Sequence, residues 1–284
     1  MSEAQNFSPQ YKPLHESESK IGIAFSSKGR TEWSRQTILP LLESGADIFW
    51  FDGSGPGEGR ELPCEFYSRS GFKEHHRDVT GGPAVAITYA LHTLYERGYE
   101  YIGLVENDVL LSAGWLDRVM GLFATPAHEL GNWKVGAASA RSYATRMVEP
   151  RDGYGIMANV GAGMIVFRRE CIPPILNNWR CPWLYELEAM FAHYLGLQYP
   201  TPTSILQRDP ELKKKNAWCL THDWYFEAVI LAHGYLTLAC TPSMAVDLDE
   251  KVEDKPTTES TRRLRMPSDP IFECDDNRKA GGAN

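Results

Sequence analysis

The sequence predicts a single-domain α/β protein with a mainly parallel central sheet and helices on both of its faces. Between residues 20 and 125, short apolar runs alternate with helix-like segments, a pattern typical of parallel sheets with crossover helices. The 284 residues are 43% hydrophobic and 23% charged, which is enough apolar material for a substantial core.

The first strand, helix and second strand follow from local signals. The apolar run Lys20–Ser27 predicts a strand that closes on the turn-rich SSKGR. Thr31 is expected to cap a helix that ends at Gly45, with a kink or break at Pro40. Asp47–Phe51 reads as a second, buried strand, followed by the turn sequence DGSGPGEG.

The next elements complete the pattern. Cys64–Ser68 predicts a weaker third strand, and Pro83 suits the first turn of a helix through AVAITYALHTLYERG. Tyr101–Val105 predicts a strand that ends directly on Glu106–Asn107–Asp108. Ser112 is expected to cap the helix that follows.

The second half is less regular but continues the same sheet. Lys134–Ala140, Val160–Phe167 and Tyr235–Cys240 are interpreted as strands, and Trp183–Leu195 and His222–His233 as helices. We expect residues 1–19 to form a flexible leader and residues 250–284 a flexible or loosely docked tail, because both are polar and poor in apolar residues.

Charge and hydropathy exclude several function classes. With 29 Lys+Arg against 37 Asp+Glu, the net charge of −8 argues against a broad nucleic-acid surface. No apolar run is long enough for a transmembrane helix, and the N-terminus lacks an apolar signal core, so we expect a cytoplasmic protein. The six scattered cysteines are interpreted as buried free thiols rather than a zinc site.

Carboxylates follow two of the predicted strands. In parallel sheets ligands bind at the carboxyl ends of the strands, and these ends carry Asp52, Glu106 and Asp108. Glu106 and Asp108 could hold a hard divalent cation together with a diphosphate, or could simply cap the next turn. Asp52 could accept hydrogen bonds from a nucleoside, or could start an Asx turn.

Two further segments could carry chemistry. Asp223, beside His222 at a predicted helix start, could be a general base or an N-terminal cap. Gly161 and Gly163 could let a substrate ring approach the backbone, or could serve close strand packing.

Taken in order, the segments resemble one family. KIGIAFSSKGR, DIFWFDGSG, the block from GGPAVAIT to VENDVLLSAGWLDRV, VGAGMIVFRRE and THDWYFEAVILAHGY resemble the GT-A-fold glycosyltransferases, especially the family-2-like inverting group. The resemblance covers about residues 20–245 and implies a GT-A-type, Rossmann-like domain over 20–249. Its nucleotide-sugar half would be 20–125 and its acceptor-side half 126–249.

The resemblance implies a reaction and a set of site residues. A sugar would move, with inversion, from a nucleoside diphosphate donor to a hydroxyl acceptor such as a glycan or lipid-linked glycan. Mn²⁺ or Mg²⁺ would bind at Glu106 and Asp108, and Asp223 would be the catalytic base. The donor-binding candidates are Asp52, Ser26, Arg30 and Asn107. The acceptor-binding candidates are Gly161, Gly163, His222 and Trp224.

The chain departs from the family pattern at several positions. Glu106 replaces the first aspartate of the metal motif, and His222 replaces the acidic neighbour of the base. Where the family often supplies a histidine to the metal, this chain has MAVDLDE, so either Asp247 or Asp249 substitutes or the position goes unfilled. Two alternatives stay open: a nucleotide-sugar or glycan-binding module without turnover, and a nucleotidyltransferase.

Overall fold

The computed structural model describes residues 19–54, 64–77, 79, 83–143, 147–158, 160–161, 163–178 and 222–248. The strands are β1 (Ile21–Ser27), β2 (Asp47–Asp52), β3 (Phe72–His76), β4 (Tyr101–Glu106), β5 (Val109–Leu111), β6 (Lys134–Ser139), β7 (Met147–Arg151), β8 (Tyr154–Met157), β9 (Met164–Arg168), β10 (Tyr235–Cys240) and β11 (Ala245–Asp247). The α-helices are α1 (Thr31–Leu42), α2 (Cys64–Tyr67), α3 (Pro83–Glu96), α4 (Trp115–Leu122), α5 (Ile172–Asn178) and α6 (His222–Ala232). Short 3₁₀ helices span Ala127–Leu130 and Arg169–Cys171.

Nine of these strands form one sheet, in the order β3-β2-β1-β4-β9-β6-β10-β8-β7. Strands β3, β2, β1 and β4 are parallel, and β10 is parallel to β6. Strand β9 runs antiparallel between β4 and β6, and β8 and β7 add an antiparallel hairpin. One continuous sheet therefore includes strands from both halves of the sequence, with its parallel block in the first half as expected.

Helices cover both faces of the sheet, which confirms the predicted α/β class. On one face, apolar side chains of α1 and α4 pack against Phe25, Trp50 and Val105. On the other face, α3, α5 and α6 pack against Phe49 and Phe167. The alternation along each strand sends successive side chains to opposite cores.

Three local expectations were wrong, each for a physical reason. Cys64–Ser68 is mostly helix α2, and the third strand is β3, an edge strand whose half-buried polar residues leave no apolar run. Helix α1 begins after Arg30 and continues through Pro40, which lies in its last turn. Helix α4 begins after Gly114, with a positive φ of 72°, rather than at a Ser112 cap.

Two consecutive arginines at the end of β9, Arg168 and Arg169, are half-buried and bond to the backbone. The side chain of Arg168 donates to the carbonyl oxygens of Val135 and Phe123, at 2.7 and 2.8 Å. Arg169 Nη1 donates to the carbonyl of Tyr95 at 2.6 Å. Arg168 therefore ties the end of α4 to β6 and β9, and Arg169 ties the end of α3 to the segment that follows β9.

Two cysteines, Cys171 and Cys240, are free and buried in the described part of the chain. Burial raises the pKa of each thiol to about 12, so neither is a nucleophile at neutral pH. Among the described helices, none is both long enough and apolar enough to cross a bilayer. The predicted helix Trp183–Leu195, most of the leader and the whole tail lie outside the described residues.

The strand directions create one edge where functional groups gather. The carboxyl ends of β1, β2, β3, β4, β6 and β10 all meet there, together with the start of β9. Helix α6 packs on β10 and is joined to it by His233 and Gly234, so it runs antiparallel to β10. The first residues of α6 therefore lie toward this same edge.

Candidate active site at the carboxyl edge of the sheet

Glu106 is the last residue of β4 and faces the side of the sheet covered by α3 and α6. Its backbone N–H donates to the carbonyl of Gly163 at 2.9 Å. A Cβ built on Gly163 would lie 3.7 Å from Glu106 Oε2, so the carboxylate lies directly beside this glycine. Half-buried Ser26 is the ladder partner of Glu106 on β1. The structure thus brings Ser26, Glu106 and Gly163 together.

The side chain of Asn107 forms hydrogen bonds within the protein. Its side chain is 6% exposed, and Nδ2 donates to the Gly29 carbonyl at 3.2 Å and to Ser34 Oγ at 3.0 Å. Thr37 Oγ1 donates to the Asn107 carbonyl at 3.0 Å. Asn107 therefore connects the end of β4 to the β1–α1 loop and to helix α1.

Asp108 forms an ion pair with Arg30, a residue of the β1–α1 loop. The distance from Arg30 Nη1 to Asp108 Oδ2 is 3.2 Å, and the two side chains are 45% and 17% exposed. Arg30 has a positive φ of 55°, unusual for a residue other than glycine. The preceding Gly29 is held from both sides, because its N–H donates to Ser54 Oγ at 2.8 Å and its carbonyl accepts from Asn107.

Asp52 is buried on the opposite face of the sheet from Glu106, with 1% exposure. Its Oδ1 accepts from the Ser54 N–H at 2.9 Å and from Ser27 Oγ at 3.4 Å, and its Oδ2 lies 3.4 Å from His75 Nε2. The imidazole of His75 stacks on Trp50, with ring centroids 3.8 Å apart. Burial alone would raise the pKa of Asp52, but the contacts with His75 and Ser54 outweigh it and hold that pKa below its ordinary value.

A further acidic side chain, Asp247, reaches this edge from the far end of the described chain. Strand β11 pairs with β5, so that Asp247 lies opposite Val109, and the Leu248 N–H donates to the Asp108 carbonyl. Asp247 forms an ion pair with Arg141, which is 7% exposed and whose guanidinium lies 4.2 Å from the ring centroid of Tyr143. Asp249, the other acid expected in this stretch, is not among the described residues.

The backbone shows where the segment with the predicted base, Asp223, lies in the fold. His222, Asp223 and Trp224 are the first three residues of α6, at the helix end nearest the carboxyl edge. Gly161 lies just before β9 with a positive φ of 73°. The backbones of both segments thus lie toward the same edge of the sheet as Glu106.

The oxygen-rich acid pair suits a hard divalent cation. In the described residues no group of three or more His, Cys, Asp or Glu side chains could hold a metal ion. Mg²⁺ nevertheless binds through only one or two carboxylates when substrate phosphates and water complete its coordination. Glu106 and Asp108 fit that donor set, with the Arg30 guanidinium as a competing positive charge at Asp108.

Sequence reasoning missed two residues at this edge. His75 lies in the basic run His75–His76–Arg77, which by sequence resembles a solvated surface, yet its side chain is 8% exposed and lies against Asp52. Arg141 carried no signal, because a single arginine after a strand looks like any surface residue. Only the β5–β11 ladder reveals it beside Asp247.

Comparisons with known proteins give a likeness of shape only. No protein-family profile and no curated protein matches the chain. The mannosyltransferase PcManGT from Pyrobaculum calidifontis, in complex with GDP-Man and Mn²⁺, is similar at 14% identity and a TM-score of 0.42, with 80% of each chain covered. UTP-bound UGPase from Acinetobacter baumannii is similar at 10% identity and a TM-score of 0.43, covering 80% of this chain and 88% of that one.

Residues 1–349 of TarS from S. aureus are also similar, at 9% identity and a TM-score of 0.43, covering 72% of this chain and 74% of that one. With TM-scores below 0.5, none of these likenesses assigns a reaction or a residue role to this chain.

Proposed function

We propose that this chain is a glycosyltransferase that moves a sugar from a nucleoside diphosphate donor to a hydroxyl acceptor with inversion. One observation carries the proposal: the acid pair that ends β4 shares an edge of the sheet with Arg30, Gly163 and the start of α6. A guanidinium suited to a diphosphate and carboxylates suited to its metal ion thus lie at the same edge of the sheet as a helix start that carries an aspartate.

On the donor side, Glu106 and Asp108 would hold Mn²⁺ or Mg²⁺ together with the diphosphate. The chemistry that such an ion supplies when bound is neutralisation of the charge on the leaving nucleoside diphosphate. Arg30 would contact the diphosphate, and half-buried Ser26 would contact the donor beside Glu106. Catalysis then comes from positioning and from groups arranged where charge develops.

Asn107 and Asp52 have positioning roles in this proposal. Both side chains are buried and each is held by an internal hydrogen bond, to Ser34 for Asn107 and from Ser54 for Asp52, so neither reaches a donor without rearrangement. Asn107 holds the carbonyl of Gly29, and Asp52 orients Ser54, which accepts from the Gly29 N–H. Together they fix the loop that presents Arg30.

On the acceptor side, Asp223 would take the proton of the attacking hydroxyl. The acceptor oxygen forms a bond to the anomeric carbon as the bond to the diphosphate breaks, which inverts that carbon. Gly161, Gly163, His222 and Trp224 would border the acceptor. The glycines leave room for a sugar ring close to the backbone, and an aromatic ring can stack on a sugar face.

The test incubates the full chain with a panel of nucleotide sugars and Mn²⁺ and measures release of free nucleoside diphosphate. A positioned general base contributes about 10²–10⁴-fold, so Asp223→Asn should lose turnover to that extent while keeping donor affinity nearly unchanged. Asp117→Asn, at an exposed aspartate of α4, is the matched control. Normal turnover by Asp223→Asn would show that the base assignment is wrong.

The same assay separates the two alternative functions. Formation of pyrophosphate from a nucleoside triphosphate and a sugar phosphate would replace the proposal by a nucleotidyltransferase. Saturable binding of a nucleotide sugar without release of nucleoside diphosphate, with every acceptor tried, would replace it by a binding module.

A further inference from the structure

We propose that Arg30 is a built-in counter-ion of Asp108, so that this site takes a divalent cation and a diphosphate together rather than the cation alone. The inference rests on the proposed function and deepens it, because it assigns a chain-specific role to a residue outside the acid pair. In the free protein the Arg30 guanidinium pairs with Asp108. When the metal ion and the diphosphate are bound, the guanidinium pairs with the diphosphate instead.

The first support is that the backbone holds Arg30 in place. Gly29 and Arg30 have consecutive positive φ values of 60° and 55°. A residue other than glycine in this conformation persists only when its surroundings fix it. Ser54 and Asn107 supply that constraint by bonding the N–H and the carbonyl of Gly29, at 2.8 and 3.2 Å.

The second support is how the two charges are exposed. The Asp108 side chain is 17% exposed and that of Arg30 is 45% exposed, so the carboxylate is the more enclosed partner and the guanidinium is the one more accessible to a ligand. The Arg30 guanidinium also lies 4.6 Å from the centroid of the Trp33 ring, which keeps it near the loop. A planar guanidinium binds phosphate oxygens through two parallel hydrogen bonds, as it binds a carboxylate.

Competition at Asp108 has a measurable consequence. A divalent ion arriving alone must displace a positive charge from its own ligand, which weakens binding. A diphosphate offers Arg30 another anion and releases Asp108 to the metal. Metal and diphosphate should therefore strengthen each other's binding, and by thermodynamic reciprocity each must do so by the same factor.

The experiment measures Mn²⁺ binding to the full chain, by the spectroscopic signal of free Mn²⁺, with and without inorganic diphosphate. Arg30→Gln removes the charge and keeps a polar side chain at the same positive φ. Because exposed ion pairs shift equilibria by up to about fivefold, we expect this variant to bind Mn²⁺ alone about three- to fivefold more tightly. The gain in Mn²⁺ affinity on adding diphosphate should shrink by a similar factor.

Two further variants act as controls. Arg35→Gln removes an exposed arginine one turn further along α1, paired with Glu32, and should leave both measurements unchanged. Arg30→Lys keeps the charge but loses the planar fork, so it should bind Mn²⁺ alone as weakly as the wild type and show less coupling to diphosphate. Thermal unfolding checks that all variants fold.

The outcomes separate this inference from the proposed function. If Arg30→Gln gains no Mn²⁺ affinity, or keeps the full coupling, the role of Arg30 is overturned even where the wild type turns over a donor. If Asp108→Asn binds Mn²⁺ as the wild type does, the metal lies elsewhere and both proposals fail.

Discussion

Asp52→Asn should lower the free energy of unfolding by about 2 kcal/mol at pH 7. A hydrogen bond to a charged group contributes about 1.5–3 kcal/mol and a neutral one about 0.5–1.5 kcal/mol, so each charge-assisted contact that becomes neutral loses about 1 kcal/mol. Asp52 has one such hydrogen bond, from the Ser54 N–H at 2.9 Å, and a longer buried contact of 3.4 Å between its Oδ2 and His75 Nε2, to which we assign about 1 kcal/mol as well. Urea unfolding gives the value directly.

The effect should also depend on pH in a defined direction. The folded-state pKa of Asp52 lies below its ordinary value of 3.8, so its ionised form stabilises the fold above that pH. This stabilisation is lost as the pH falls below 3.8 and passes through the lowered pKa. The gap between the wild type and Asp52→Asn should therefore be largest near neutrality and shrink in acid.

Controls separate this contact from a general effect of lost charge. Asp117→Asn, at an exposed position in the first turn of α4, should change stability by less than about 1 kcal/mol, the most that such a carboxylate typically gains from the helix dipole. His75→Gln and the double variant complete a cycle that isolates the coupling between His75 and Asp52. Equal stability of Asp52→Asn and the wild type at pH 7, or a gap that stays constant down to pH 3, would refute the reasoning.

Three further variants or treatments test other contacts. Gly163→Ala places a methyl group in ordinary van der Waals contact, 3.7 Å from Glu106 Oε2, so it should fold and bind Mn²⁺ in the presence of diphosphate as the wild type does; a large loss of stability or of Mn²⁺ affinity would contradict the geometry described at Gly163. Gly136→Ala places a Cβ 2.5 Å from Tyr235 Cβ, and overpacking should cost about 1–3 kcal/mol in urea unfolding; wild-type stability would contradict the packing described. Iodoacetamide at pH 8, mapped by mass spectrometry, should leave Cys240 unmodified until urea unfolds the chain, and rapid labelling of the native protein would contradict its burial.

The parallel part of the fold could be predicted because its strands are apolar runs ended by turn residues. Strand β3 could not, since an edge strand carries polar side chains and FKEHH resembles a loop. Its stability comes from contacts that no periodicity reveals, such as the stacking of His75 on Trp50 and of His76 on Phe51.

The candidate site could be located by sequence at one edge of the sheet but not resolved into faces. Strand β2 is buried along its whole length, so it shows no alternation between polar and apolar residues. The local sequence therefore does not predict that Asp52 lies on the face of the sheet covered by α1, while Glu106 lies on the face covered by α3. Contacts between distant residues, such as Arg30 with Asp108, depend on the sheet order and lie beyond any local pattern.

The short ladder between β5 and β11 has a consequence for how the chain matures. Residues 245–248 pair with the strand that follows Asp108, and the Leu248 N–H donates to the Asp108 carbonyl. These residues leave the ribosome long after β4. A nascent chain that has completed β1 to β4 would still lack the ladder between β5 and β11. We therefore expect the site to become able to bind a ligand only late in synthesis, after β1 and β4 have formed.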